Sequence, residues 1–225
     1  GRTAIDKNTM LAFKAKTYMK LEQYPEVNLV TNQIINNGPY FLESNYQDIF
    51  DFRTSSSIFD IDCTDNKYAS WECILCTQGN LMSGFQGIRT YEGPEFKSGY
   101  GFNIPTQESF DSFDSGDIRR EMAILDISEW TLQNPTVFFT EGYNHSGYFN
   151  KKYLPRQGGM ELSELSLTYG NDLKVIRYAE ILLLAAESSL MMGNKNVAVN
   201  YLNQVRNRAG LSDISPNDIN MDHII

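Results

Sequence analysis

The chain has 225 residues, of which 41% are hydrophobic, and its formal net charge is −9. This length and apolar content predict one domain with a hydrophobic core, or two small ones, and argue against a disordered chain. The acidic balance argues against a nucleic-acid partner, whose phosphates need Lys and Arg, and against electrostatic binding to anionic lipid.

The first predicted elements are two helices, over residues 8–21 and from Pro25 to Gly38. One face of the first helix carries Leu11, Ala15, Tyr18 and Met19, at helical spacing. Pro25 suits the first turn of the second helix, where its missing N–H costs nothing. Together they predict an antiparallel helical hairpin over residues 8–38.

Residues 39–172 are predicted to form an irregular insertion with a few short strands. Residues 58–62 alternate apolar and polar side chains, which predicts a strand. From Cys63 to Tyr100 the periodicity is lost, and Gly, Ser, Asn and Tyr interrupt the chain. A long structured loop of this kind is often functional.

The three cysteines permit several interpretations. Cys73 and Cys76 have the spacing of half a metal site or of a redox pair. A zinc site needs four ligands, and only Cys63, His145 and His223 remain as soft partners. We therefore favour small buried side chains or one disulfide.

The second half of the insertion contains one helix and two strands. Thr106 is the expected cap of a helix that ends near Asp114. Asp111, Asp114 and Asp117 stand three apart, which suggests either calcium or a helix end followed by an Asp–Arg turn. We favour the turn, because the spacing lacks the pattern of an EF-hand loop. Strands are predicted at residues 136–139 and 148–153, and a polar loop at residues 156–168.

A second helical hairpin is predicted over residues 173–210. Its first helix, residues 173–192, is apolar on most faces, and its second helix covers residues 195–209. Arg177, Glu180 and Glu187 would be costly in lipid, which argues against a membrane-spanning helix. A helix that is apolar on most faces and does not span a membrane is predicted to lie in a core. Gly193 and Gly210 suit the left-handed residue that ends a helix.

The two hairpins resemble each other. A shift of 171 positions places Leu11 on Leu182 and Ala15 on Ala186. Helical hairpins of about 35 residues with small contact residues are typical of tetratricopeptide units. The predicted class is therefore mainly α, with tetratricopeptide-like hairpins and a large irregular insertion containing short β-strands.

Several segments carry a resemblance to a known family. They read RYAEILL at 177–183, AE at 186–187, LNQVRNRAGL at 202–211 and PTQESFDSFDSGDIRR at 105–120. These segments resemble the signature of SusD/RagB-like proteins, glycan-binding lipoproteins of certain Gram-negative outer membranes. The resemblance runs from about Asn8 to Leu211. It implies a single SusD-like domain over residues 1–225, and we expect a fragment that lacks amino- and carboxyl-terminal parts.

The resemblance also implies a function. The protein would bind an oligosaccharide or polysaccharide without catalysis and deliver it to a SusC-like TonB-dependent outer-membrane porin. It would lie at the cell surface, held only by a lipid anchor whose cysteine and signal are absent from this chain. The resemblance implies no cofactor, no metal and no nucleic-acid partner.

No catalytic motif stands against that expectation. The sequence contains no Gly-x-Ser-x-Gly, phosphate loop or His-Glu-x-x-His. Acids are too numerous for counting to exclude a glycosidase carboxylate pair. Arg177 and Glu180 are expected to pair structurally on the core helix. The alternatives are a tetratricopeptide-type scaffold for protein–protein interaction and, less favoured, a helical glycoside hydrolase.

The binding site is expected in the irregular insertion. Sugar rings stack their C–H faces on aromatic side chains and need a few polar groups for orientation. Because aromatic residues are mostly buried, core packing is the alternative for each of them. The candidates given most weight are Trp71, Tyr68, Trp130, Tyr91 and Tyr100, with Asn80 and Gln86 as hydrogen-bonding companions; the wider set adds Phe96, Tyr143, Tyr148, Asn66 and Gln78.

Overall fold

The computed structural model describes residues 5–51, 54–64, 71–73, 76, 78–142, 144–156, 167 and 169–224. The chain divides into two compact units. Unit 1 comprises residues 1–49, 53–61 and 174–225, and Unit 2 comprises residues 50–52 and 62–173. The single domain over residues 1–225 stays a prediction. Among the described helices, none combines the length and apolar character needed to cross a membrane.

The described part of the chain is mainly helical with short strands, as predicted. The helices are α1 (Lys7–Lys20), α2 (Tyr24–Asn37), α3 (Asp48–Asp51), α4 (Leu81–Gln86), α5 (Gln107–Asp111), α6 (Arg119–Ala123), α7 (Ile127–Gln133), α8 (Tyr178–Met191) and α9 (Lys195–Arg208). The strands are β1 (Ser57–Ile61), β2 (Ile88–Arg89), β3 (Ser98–Gly99), β4 (Ile124–Asp126), β5 (Tyr148–Asn150) and β6 (Leu173–Arg177). Short 3₁₀ turns follow at Lys151–Tyr153 and Met221–His223.

The amino-terminal hairpin of Unit 1 begins and ends where the sequence predicts. Asp6 caps α1 by accepting a hydrogen bond from the Thr9 backbone N–H at 2.8 Å. Pro25 lies in the first turn of α2. Ala12 and Ala15 are fully buried, and such small side chains let neighbouring helices approach closely.

The carboxyl-terminal hairpin begins later than predicted. Residues 173–177 form β6, which pairs with β1, so the first helix starts at Tyr178 and the predicted start at Leu173 is wrong. The Tyr178 N–H donates to the Ser56 carbonyl at 2.7 Å, which ties the strand-to-helix junction to the residue before β1. Gly193 and Gly210 have φ of +79° and +78°, confirming the predicted helix ends.

The expected pairing of Arg177 with Glu180 along one helix is also corrected. Arg177 is the last residue of β6, so the two residues do not share a helical face. Glu180 binds Lys16 of α1 instead, with Nζ and Oε1 2.6 Å apart at the surface. The ion pair therefore links two helices.

Helix α8 is the centre of Unit 1, because it packs against α1, α2 and α9. Ile34 of α2 and Ile181 of α8 are both fully buried in one cluster, which also includes Ile58 of β1 and Ile176 of β6. Polar contacts support this packing: Asn28 donates to Ser189 at 3.1 Å, and the Tyr201 hydroxyl donates to Asn32 at 2.7 Å. The predicted hairpins thus pack as paired, tetratricopeptide-like units.

Unit 1 should respond to pH through Glu187. Burial raises the pKa of Glu187, and Lys20 lowers it in part. A pKa that is higher in the folded than in the unfolded state means that the charged carboxylate disfavours folding. The free energy of unfolding therefore falls as pH rises through the pKa that Glu187 has in the unfolded chain. We expect Glu187→Gln to stabilise the chain at pH 7, with a smaller gain below about pH 4, near the usual Glu pKa. Urea unfolding midpoints across pH measure this, and a gain independent of pH would contradict it.

Unit 2 has a separate hydrophobic core around two small sheets. Strands β2 and β3 are parallel, and β4 and β5 are antiparallel. Ile88 and Phe149 are almost wholly buried in a cluster that also contains Tyr91, Phe96, Leu125, Ile127 and Leu154. This core supports the loops that carry the exposed aromatic side chains of Unit 2.

Two predicted strands of Unit 2 are corrected. Residues 136–139 do not form a strand; only Phe138 pairs there, with Glu92, as an isolated bridge. The predicted strand over residues 148–153 ends at Asn150 and continues as a 3₁₀ turn. A partner segment as short as the one around Glu92 supports one bridge but no ladder.

Other predictions of Unit 2 are confirmed. Thr106 caps α5, since its hydroxyl accepts from the Ser109 N–H at 3.1 Å. Asp117 accepts hydrogen bonds from the Arg119 backbone and guanidinium, which confirms the Asp–Arg turn. Cys73 and Cys76 form a disulfide, and Cys63 is a half-buried free thiol.

Candidate functional site

A contiguous group of aromatic side chains, three of them exposed and one half-buried, lies on Unit 2. It comprises Trp71, Phe85, Tyr100 and Phe102, and we call it the aromatic platform. Tyr100 contacts the other three rings, with centroid distances of 6.3 Å to Trp71, 6.0 Å to Phe85 and 6.0 Å to Phe102. Trp71, Tyr100 and Phe102 are 42%, 38% and 56% exposed, which is high for side chains of this size.

Helix α4 supports one side of the platform, and polar residues hold that helix. The Asn80 side chain caps α4 by accepting from the Met82 N–H at 3.0 Å. The same amide donates to the Asn171 carbonyl at 3.0 Å, while the Ser83 hydroxyl donates to the Asn171 side chain at 2.9 Å. Asn80 is buried and committed to these bonds, so its role is to position α4.

The segment that carries Tyr100 and Phe102 is bonded to the end of the same helix. The Tyr100 N–H donates to Gly84 at 3.0 Å, and the Phe102 N–H donates to Phe85 at 2.8 Å. These bonds satisfy carbonyls that a helix end leaves without an internal partner. Gly101, between the two aromatic residues, has φ of +70°, and both rings lie beside Phe85, at 6.0 Å and 6.1 Å between ring centroids.

Two glycines permit this close approach. A Cβ at Gly99 would lie 2.4 Å from the Gly87 Cα and 2.5 Å from the Gly84 carbonyl oxygen. These are backbone atoms, so a side chain at position 99 would separate α4 from the segment that follows β3. The platform geometry therefore depends on a glycine at this position.

We expect Gly99→Ala to destabilise the chain by about 1–3 kcal/mol, as overpacking does. It should also weaken the binding of any ligand that spans Phe85 and Tyr100, because the distance between these two rings would change. Gly142→Ala is the matched control, since its Cβ would meet only Arg89 atoms at 3.6 Å or more. Urea unfolding compares the two variants, and an equal loss in both would contradict the close-approach argument.

Tyr169 adds a polar group near the platform. Burial, and to a smaller extent Tyr100, raise the pKa of Tyr169 to about 12. Its hydroxyl keeps its proton at physiological pH, as an ordinary tyrosine does, and remains a hydrogen-bond donor. Its backbone carbonyl accepts from the Asn80 N–H at 2.7 Å, which connects it to the start of α4.

The predicted site residues do not all lie together. Trp71 and Tyr100 lie together on the platform. Gln86 is 7% exposed at the end of α4, and its buried Oε1 has no hydrogen-bond partner among the described residues. Gln78 is exposed, and Tyr148 is buried, with its ring stacked on Phe110 at 4.5 Å. Tyr68, Tyr143 and Asn66 lie outside the described residues.

Tyr91 and Trp130 occur together, but away from the platform rings. Tyr91 is 5% exposed; its hydroxyl donates to the Pro94 carbonyl at 2.7 Å and accepts from Trp130 Nε1 at 2.9 Å. Phe96 packs against both rings and is almost fully buried. The structure gives Tyr91 and Phe96 a packing role, whereas Trp130 is partly exposed.

Phe85 and Phe102 are platform residues that sequence reasoning missed. Phe102 stands two residues after Tyr100, but Gly101 between them has φ of +70°, so the spacing of an extended strand does not predict that the two rings lie together. Phe85 lies in a Gly- and Ser-rich stretch without periodicity, and its closeness to Phe102, at 6.1 Å between ring centroids, is a tertiary contact. No local pattern predicts that contact.

The described residues offer little for metal chemistry. Among them, no three or more His, Cys, Asp or Glu side chains are grouped to hold an ion. Asp117 is bound to Arg119, and Asp111 accepts from the Gln107 amide at 3.0 Å. The aspartates at 111, 114 and 117 thus serve a helix end and a turn.

The architecture has known counterparts. Residues 128–224 match the model of the SusD family. Paired helical hairpins with an irregular, aromatic-bearing unit are thus SusD-like in fold, which confirms the resemblance predicted from the sequence. SusD-like protein P2 of Formosa agariphila is 24% identical over 242 aligned residues, covering 98% of this chain and 45% of that protein.

Solved structures give the same answer for the fold. Surface glycan-binding protein A from Bacteroides thetaiotaomicron, in complex with laminarihexaose, superposes with a TM-score of 0.87 at 24% identity. That match covers 100% of this chain and 51% of the other. A laminarin-binding SusD-like protein has a TM-score of 0.83 at 26% identity, covering 93% of this chain and 49% of the other. The chain spans about half the length of these relatives.

Proposed function

We propose that this chain binds an oligosaccharide at the aromatic platform and releases it unchanged. The observation that carries the proposal is the contiguous exposure of Trp71, Tyr100 and Phe102 on an acidic protein. Aromatic rings provide flat apolar surface against the C–H faces of a sugar. Three such rings in contact suit more than one sugar unit, which favours an oligosaccharide over a single sugar.

The surroundings of the platform favour binding over reaction. Among the described residues, its support consists of backbone hydrogen bonds and amide side chains, such as those of Asn80 and Asn171, rather than of paired acids. The Tyr169 hydroxyl is a neutral donor at physiological pH, as an ordinary tyrosine is, and burial raises the pKa of Tyr169 further, to about 12. Neutral donors and aromatic faces match neutral sugars, whose hydroxyls accept hydrogen bonds and whose rings stack.

The relatives narrow the choice of ligand to test. Two solved proteins of the same fold are described as laminarin-binding or as a complex with laminarihexaose. We therefore propose a laminarin-type oligosaccharide as the first ligand. Fold similarity at 24% and 26% identity supports this choice only as a starting point for a panel.

The wider role follows from the SusD resemblance. We propose that the whole protein is a surface lipoprotein of an outer membrane. It would pass the bound glycan to a SusC-like TonB-dependent porin, and residues 1–225 would act as one SusD-like domain. No cofactor and no nucleic acid take part in this role.

Calorimetry against a glycan panel tests the proposed function. We expect binding heat with laminarihexaose, and chromatography of the mixture should recover the hexasaccharide intact. Shortened products would point to the glycoside hydrolase alternative. If no glycan of the panel gives binding heat and the chain captures a soluble protein, the result would favour the tetratricopeptide-type scaffold.

A further inference from the structure

A pocket of about 190 Å³ lies on Unit 2 around Trp130. It is formed by α6, β4 and α7 together with neighbouring side chains. The lining residues are Phe110, Arg120, Glu121, Ile124, Leu125, Asp126, Glu129, Trp130, Gln133 and Lys151. The pocket combines aromatic surface with both hydrogen-bond donors and acceptors, and none of the platform rings lines it.

Arg120 is the unusual residue of this pocket. Its guanidinium lies over the Phe110 ring, 4.9 Å from the centroid. Its Nε is buried and has no hydrogen-bond partner among the described residues. A buried donor without a partner is uncommon and disfavoured, and because Arg120 also lines the pocket, its guanidinium has donor capacity left for a ligand oxygen.

The other polar groups of the pocket are partly committed. Lys151 Nζ donates to the Glu121 carbonyl at 3.2 Å. Asp126 Oδ1 caps α7 by accepting from the Ser128 and Glu129 N–H groups. Glu129 Oε1 accepts from the Gln133 amide at 3.3 Å. These contacts hold the acids in place, and each carboxylate has a second oxygen to accept from a ligand hydroxyl.

We propose that this pocket is a second glycan subsite, separate from the platform residues, that holds one neutral pyranose unit. The proposal rests on the proposed function for the class of ligand. Trp130 provides the ring face, Arg120 donates to hydroxyl oxygens, and Asp126 and Glu129 accept from hydroxyl protons. Pairs of donors and acceptors around one aromatic face are what a polyhydroxylated ring requires.

Size and charge select the ligand within that class. A volume of about 190 Å³ is below the roughly 300 Å³ at which pockets for drug-sized ligands begin, so one sugar unit fits better than a chain. The lining contains the carboxylates of Glu121, Asp126 and Glu129 against the cations of Arg120 and Lys151. This excess of acid disfavours a uronic acid or a sulfated sugar and favours a neutral one.

The two tryptophans of the chain allow each site to be observed alone. Trp71 lies on the platform and Trp130 in the pocket. In Trp71→Phe, the remaining indole fluorescence reports on the pocket, and in Trp130→Phe it reports on the platform. Titration of both variants with laminarihexaose and with D-glucose therefore separates the two sites.

We expect the emission of Trp130 in Trp71→Phe to change saturably with both probes. Adding Arg120→Met should weaken this response at least about tenfold, as loss of charged hydrogen bonds does. Lys152→Met is the matched control, because Lys152 also lies over a phenyl ring, 5.6 Å from the Phe50 centroid, but outside the pocket. If Arg120→Met does not fold, Gln133→Ala at the exposed rim should reduce the same response.

The outcomes distinguish the subsite from the platform. A response of Trp71 with none from Trp130 would overturn the subsite and leave the proposed function standing. The subsite would also be overturned if Arg120→Met leaves the Trp130 response unchanged. Where Arg120→Met does not fold, the same conclusion follows if Gln133→Ala leaves that response unchanged. If neither Trp71 nor Trp130 changes its fluorescence with either probe, both the subsite and the proposed carbohydrate binding would be overturned. Tighter binding of glucuronate than of glucose would overturn the neutral-sugar assignment.

Discussion

Phe102→Ala is expected to weaken laminarihexaose binding about 30-fold, which corresponds to about 2 kcal/mol, the scale of an aromatic hot spot. Phe102 is 56% exposed and lies 6.0 Å from Tyr100 and 6.1 Å from Phe85 between ring centroids. Its removal would shorten the platform by one ring without opening a buried cavity. Trp71→Ala should have an effect of the same size, because Trp71 is also exposed and lies 6.3 Å from Tyr100 between ring centroids. Calorimetric titration of each variant measures the change.

Phe138→Ala is the matched control for this experiment. Phe138 is 57% exposed, almost the same as Phe102, but its ring is not part of the platform. Loss of a general apolar surface would therefore affect both variants equally. Loss of a specific sugar-binding face would affect only Phe102→Ala. Equal affinities of the two variants for laminarihexaose would contradict the platform.

The helical part of the fold was predictable because its signals are local. Gly193 and Gly210 end α8 and α9 with positive φ, and Pro25 lies in the first turn of α2. Such signals depend on the conformation of one residue and need no knowledge of distant contacts. The packing of α8 against α2 and α9 follows from the small side chains that both hairpins share.

The errors occurred where tertiary pairing overrides a local pattern. Leu173, Val175 and Ile176 directly precede the apolar helix, so periodicity alone merged residues 173–177 with it. Their pairing with β1 and the bond from Tyr178 to Ser56 decide the strand, and both involve residues more than 100 positions away. The reverse holds at residues 136–139, where the strand pattern lacks a partner long enough for a ladder.

The platform was predictable only in part, for the same reason. Trp71 and Tyr100 were among the candidates because aromatic residues in an irregular region are the usual material of a sugar site. Composition does not distinguish them from Tyr91, whose hydroxyl bonds to Pro94 and Trp130 inside the core. Only the exposed fraction of each ring separates the two roles, and exposure depends on the whole of Unit 2.

Lys174→Met is expected to destabilise the chain by about 3–5 kcal/mol, the usual cost of removing one partner from a buried ion pair. Lys174 Nζ and Asp60 Oδ2 are 3.0 Å apart, and their side chains are only 3% and 1% exposed. The pair joins β6 to β1, and Asp60 also accepts from the Ser57 hydroxyl. Without the cation, a buried carboxylate would remain next to the hydrophobic cluster around Ile58 and Ile176. Urea unfolding of the variant at pH 7 measures the loss.

The double variant Asp60→Leu/Lys174→Met separates the net contribution of the ion pair to stability from the cost of leaving one buried charge unpaired. Because two apolar side chains leave no buried charge, we expect this variant to recover much of the stability that Lys174→Met loses. Glu180→Gln is the surface control: its pair with Lys16 is 2.6 Å long but about 40% exposed, so its loss should cost under about 1 kcal/mol. If Lys174→Met lowers the free energy of unfolding by no more than Glu180→Gln does, the argument that burial makes the Lys174–Asp60 pair costly to break would be contradicted.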